Sequence, residues 1–346
     1  VRGQSFLDTV ELNGNLSSSR LNLQLRQFAA PVTAVRATYS IENGNLHIAS
    51  ASGAVLGGQL SINSGEINLT GNSPSQLSAT LTSVSLRDLG QQLPSRMSAR
   101  LSFAGRADVN ARLSWLSHFR NLVIRTRARI SSPPESELAS NQIGINGAIQ
   151  AAYNRALNQA SFGNSQLRIG STTISLNGVL SKRSNLTVTL LAPDLHQFSM
   201  LAAKVREVAS SPGSQPFEMP NLTGSARFAG QVHGSPREPD IVGQLAASNL
   251  QVESTKWRTI QANIVLSPSH AALSDGILIG QSQQRIHLTA SVGLQHWSLA
   301  PSSSVSMHAV ASGLPISGLQ NLIHANYPVH GIVSADLSLT GTKQNP

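Results

Sequence analysis

Apolar and polar residues alternate one for one along most of this chain. Glycine, asparagine or proline breaks the alternation roughly every ten residues. In an extended strand, side chains at i and i+2 share a face, so this period predicts strands with one apolar and one polar side. Ile124, Thr126, Ala128 and Ile130 fall on one side, and Arg125, Arg127 and Arg129 fall on the other. Ile286, Leu288, Ala290 and Val292 alternate in the same way with Arg285, His287, Thr289 and Ser291. Turn signals at Asn43-Gly44, Gly57-Gly58 and Ser64-Gly65 predict short strands joined as an antiparallel meander. The arginine side of Ile124–Ile130 reads as a solvated outer face, or alternatively as a contact for anionic head groups.

Three stretches interrupt the strands. Leu86 to Pro94 predicts a single helical turn that stops before Pro94. His196 to Ala209 places Phe198, Leu201, Ala202, Val205 and Val208 on one stripe and predicts a helix, followed by a linker at 210–216. Leu314 to Ala325 predicts another short helix, and Ser131 to Ser140 a loop.

One strand-and-turn pattern occurs twice. Gly331, Gly341 and Pro346 each lie 107 residues after Gly224, Gly234 and Pro239. Val333, Ala335, Leu337 and Leu339 share one face in the later copy, as Ala226, Phe228, Gly230 and Val232 do in the earlier one. A repeat at this distance predicts stacked β units rather than one closed core. The expected division is 1–95, 96–216 and 217–346, the first unit degenerate and the last ending inside the repeated motif. That ending, with no initiator Met, suggests an internal fragment of a longer protein.

Composition narrows the function. Only 12% of the 346 residues are charged and 4% aromatic. The net charge of +9 raises nucleic acid and anionic lipid as partners. The excess is nearly all arginine within strands, and stacking aromatics are scarce, so nucleic acid is not expected. No Gly-x-Gly, Gly-Lys, His-Glu-x-x-His or Gly-x-Ser-x-Gly occurs. Asp88, Asp108, Asp194 and Asp275 are too scattered for a paired acid and base. His287, His296 and His308 come nearest to a cluster but occupy polar positions. With no Cys and no apolar run of transmembrane length, the chain reads as non-enzymatic, without metal or cofactor.

What remains is an apolar stripe on strand after strand, with little helix to cover it. A second sheet could pack on it, the sheet could close as a solenoid, or a groove could be filled by acyl chains. The candidate lining is Leu60 and Ile62; Leu167 and Ile169; Ile174 and Leu176; Leu186 and Val188; Ile260, Ala262 and Ile264; and Ile286, Leu288 and Ala290.

The two Gly–Pro motifs, with Pro239 to Leu250 (Pro-Asp-Ile-Val-Gly-Gln-Leu-Ala-Ala-Ser-Asn-Leu), resemble the repeat domains of TamB-type members of the AsmA-like family. Ala272 to Gly280 and Ala54 to Leu60 are similar to further family patterns. The resemblance gives Gly224, Gly234, Pro239, Gly243, Gly331, Gly341 and Pro346 as repeat-turn positions. It implies a mainly β fold: an elongated, U-shaped antiparallel β-groove of repeated strand units with a few short helices. It also implies a periplasmic conduit in a diderm bacterium, carrying phospholipid acyl chains between inner and outer membrane. The implied partners are the inner membrane, through an anchor outside this segment, and an outer-membrane barrel protein. The alternative is an extracellular β-solenoid or adhesin segment, which would repeat every 20 to 30 residues or so with stacked identical side chains.

Overall fold

Two-residue turns set the meander. Asn43 (φ 51°) and Gly44 (φ 73°) both occupy the left-handed region that a twist-matched hairpin requires. They join β2 (Phe28–Glu42) to β3 (Asn45–Val55). Leu56 and Gly57, at φ 50° and 69°, join β3 to β4 (Gly58–Asn68) in the same way. A computed structural model describes residues 9–25, 28–71, 73–92, 102–139, 142–209, 222–252, 255–281, 284–315 and 331–345. The chain is mainly β and antiparallel, with a few short helices, as the alternation predicts.

The described residues form two compact units. The first consists of the described residues within 1–170, 175–181 and 204–214, and the second of those within 171–174, 182–203 and 215–346. In the first unit, β1 (Leu12–Leu25), β2, β3, β4 and β5 (Ser75–Ser85) pair in sequence order. The ladder continues from β5 to β7 (Arg106–Leu116), then to β8 (Arg120–Ser131), β9 (Gln142–Asn154) and β10 (Gln159–Ile169). Between β5 and β7 lie the helix α1 (Leu86–Gln91) and β6 (Ser102–Ala104), which pairs in parallel with β9. The β5–β7 pairing thus carries the sheet across the sequence division expected at residue 95.

In the second unit, β12 (Ser184–Ala192) pairs with β13 (Leu222–Gly234), followed by β14 (Pro239–Val252), β15 (Thr255–Ser267) and β16 (His270–Gly280). The meander goes on through β17 (Arg285–Gly293), β18 (Ser304–Pro315) and β19 (Ile332–Thr342). Each ladder of this unit is antiparallel between chain neighbours, whereas rungs of a β-helical solenoid stack in parallel. The strand β11 (Thr172–Leu180) contributes residues to both units.

The helices follow local rules. Ser85 caps α1 by accepting from the Asp88 amide at 3.2 Å. Asp194 caps α2 (Leu195–Ala209), its Oδ1 accepting from the His196 amide at 2.9 Å. On α2, Leu195 is buried, and Phe198, Leu201 and Ala202 are half-buried as the predicted stripe requires. The side chains of Val205 and Val208 and the linker at 210–216 fall outside the described residues. So does nearly all of the helix expected at Leu314–Ala325, whose first two residues instead end β18. The predicted loop after Ser131 contains one 3-10 turn, Glu135–Glu137.

The turn expected at Ser64-Gly65 does not form. β4 runs through it with a register shift between Ile62 and Ser64. A Cβ at Gly65 would lie 2.8 Å from Leu77 Cδ1, so this glycine makes room for a neighbouring side chain instead of reversing the chain.

Candidate functional site

Antiparallel register converts the alternation into continuous apolar rows. One row in the second unit runs Ala192, Ala226, Ala247, Ile260, Leu278, Ile286, Ala311 and Ala335, one residue from each strand from β12 to β19. A second runs Val188, Gly230, Gly243, Ile264, Leu273, Ala290, Met307 and Leu339. A third begins at Leu186 and passes through Val232, Ile241, Leu266, Ala271, Val292 and Val305 to Gly341. Leu288 lies between the first two, opposite Gly276 and Ala309. The expected lining residues Leu186, Val188, Ile260, Ala262, Ile264, Ile286, Leu288 and Ala290 therefore share one face.

Burial on that face is uneven. Leu186, Ala192, Ala247, Ala262, Ala309 and Ala311 are buried, whereas Ala226, Ala271, Ala290 and Ala335 are half-buried. Ile260, Ile264, Leu273, Leu278, Ile286 and Leu288 are only half-buried, and Leu337 is 53% exposed. Isoleucine and leucine under a second protein layer would be buried outright. Here these residues stay partly accessible.

The first unit repeats the pattern. Leu60 pairs with Leu81, and Leu81 with Val109. Ile62 pairs with Ala79, and Ala79 with Ala111. At the other end, Leu167 faces Gly147 and Ile169 faces Ile145. All four lining residues are half-buried. Ile174 and Leu176 are half-buried in β11.

The expected turn positions divide. Gly234, at φ 75°, does end β13, and the hairpin closes through Ser235, which accepts from the Glu238 amide at 3.1 Å before β14 starts at Pro239. Gly224 instead lies inside β13 at a register shift, at φ 110°. A Cβ there would sit 2.5 Å from the Asn249 carbonyl oxygen. Gly243 is in mid-strand, directly opposite Gly230, and the Phe228 ring lies over both. Gly341 is within β19, Gly331 immediately precedes it, and Pro346 falls outside the described residues. The sequence marks these glycines, but a glycine that admits a ring and one that turns the chain look alike before the register is known.

The polar face of the first unit carries a hollow of about 580 Å³. Asn63, Thr80, Asn110 and Gln150 line it together with Arg112, Arg125 and Arg127, and Arg127 stands between Asn110 and Gln150 in the ladder. Asn63 donates to Thr80 at 3.4 Å, and Thr80 donates to Asn110 at 3.2 Å. Arg125 stands opposite Arg112 on β7 and the small Ala152 on β9. The sequence singles out Arg125, Arg127 and Arg129, but only the register adds Arg112.

The aspartates serve structure. Asp108 accepts from the Ser83 amide at 2.8 Å, and Asp275 from Asn263 at 2.8 Å. His308 bonds Asp336 at 2.8 Å, and no metal-binding group of three or more His, Cys, Asp or Glu occurs among the described residues. No helix among them is long and apolar enough to cross a membrane. Comparison with protein-family models, curated proteins and solved structures returns no match.

Proposed function

We propose that this chain is a non-enzymatic segment of a lipid conduit, of the AsmA-like, TamB-type kind. Its apolar rows carry phospholipid acyl chains between the inner and outer membranes of a diderm bacterium, in support of outer-membrane assembly and integrity. In this reading it works in the periplasm, tied to the inner membrane by an anchor outside this segment and partnered by an outer-membrane barrel protein. The observation that carries the reading is the run of apolar rows, most of whose large side chains stay half-buried.

The energetics suit passage rather than storage. Each CH₂ that leaves water for the face gains about 0.8 kcal/mol. Measured against a bilayer the gain is close to nil, because lipid tails are already dry. The rows offer methyl and methylene groups and no deep polar contact, so a chain can enter, slide and leave. Repetition from strand to strand extends the same surface without changing its chemistry.

Native mass spectrometry of protein purified in mild detergent tests this reading. Bound phospholipid is expected, and the variant Ile260→Glu/Leu288→Glu is expected to lose it. Protein that carries no lipid, or a variant that keeps its full load, contradicts the proposal.

A further inference from the structure

We infer that the arginine-lined hollow on the polar face of the first unit binds a phosphorylated sugar or polyol. The arginines and amides concerned alternate along their strands with the residues of the apolar rows, so this binding is separate from the lipid reading.

Three observations converge. First, Arg112 and Arg125 are directly opposed across β7 and β8, and Arg127 follows two residues on along the same face. Like charges directly opposite destabilise a ladder. Each of the three is exposed, and none makes an ion pair among the described residues. A bound anion removes that repulsion.

Second, the floor is cleared for a ligand. Arg125 faces Ala152 on β9, and Ala152 faces Ser161 on β10. These small residues let the guanidinium groups border a hollow of about 580 Å³, a size typical of small-molecule sites.

Third, the chemistry is hydrophilic and mixed. Planar guanidinium forks match phosphate oxygens in bidentate fashion, and Arg serves this better than Lys. Beside them the neutral ladder Asn63–Thr80–Asn110, and Gln150 on the far side of Arg127, offer amide and hydroxyl groups that suit sugar hydroxyls. A bare hydrocarbon gains nothing here, and a neutral sugar leaves the arginines unneutralised. The shared chemistry is a phosphate ester on a polyhydroxyl frame, whether free or as a lipid head group.

The test uses the full chain in two arms. Calorimetry with glucose 1,6-bisphosphate measures the free form, with glucose and inorganic phosphate as controls. Co-sedimentation with phosphatidylcholine vesicles, with and without phosphatidylinositol 4-phosphate, measures the lipid-borne form. Saturable binding in either arm is expected, weakened at least tenfold in Arg112→Gln/Arg125→Gln. The charge-matched control Arg36→Gln/Arg258→Gln is expected to change it less than twofold. Arg112→Lys/Arg125→Lys, which keeps the charge and loses the fork, is expected to fall between. Binding only to the bisphosphate assigns a soluble ligand, and binding only to vesicles a head group. Unfolding midpoints confirm that the variants fold. No saturable binding in either arm, or equal loss in the charge-matched control, overturns the inference.

Discussion

Arg112 and Arg125 stand directly opposite each other across the β7–β8 ladder, both exposed, with no ion pair to either among the described residues. The neighbouring positions lack this conflict: Arg127 faces Asn110, and Arg129 faces Asp108. Replacing Arg112 with Glu turns a like-charge pair into an opposite one. The expected gain is about 0.5 kcal/mol at low salt. Urea unfolding at low and high ionic strength measures it, and the gain should shrink as salt screens the pair.

Gly243 and Gly230 form a paired gap that the Phe228 ring fills. A Cβ on Gly243 would lie 2.6 Å from Phe228 Cζ and 2.7 Å from the Ala229 carbonyl oxygen. Gly243→Ala should therefore destabilise by roughly 1–3 kcal/mol. Adding Phe228→Leu should recover only part of the loss, since the carbonyl remains. Urea unfolding of the single and double variants measures both effects.

His308 and Asp336 bridge β18 and β19 at 2.8 Å, with side chains 52% and 68% exposed. A pair this exposed contributes little. Asp336→Asn should change stability by less than about 0.5 kcal/mol. A larger loss in urea unfolding would assign the pair a structural role that its exposure does not suggest.

Much of this was legible in the alternation. Faces such as Ile286/Leu288/Ala290 against His287/Thr289 follow from strand period alone, and Asn43-Gly44 announces its hairpin. Register was not legible, because it depends on which strands pair and where bulges fall. Ser64-Gly65 reads as a turn, but Leu77 needs the space above Gly65, so the strand continues. Gly243 reads as a repeat turn, but its role is to lie under Phe228. Arg112 has no distinction along the chain, and its position opposite Arg125 exists only in the folded ladder.

Site-specific photocrosslinking along β17 in membranes tests directly whether lipid runs along the apolar rows. A photoreactive residue is placed in turn at Ile286, His287, Leu288, Thr289, Ala290 and Ser291. Phospholipid adducts are expected at 286, 288 and 290 and none at 287, 289 and 291, because only the first set lies on the apolar rows. Adducts without this parity, or none at any position, would contradict the lipid reading.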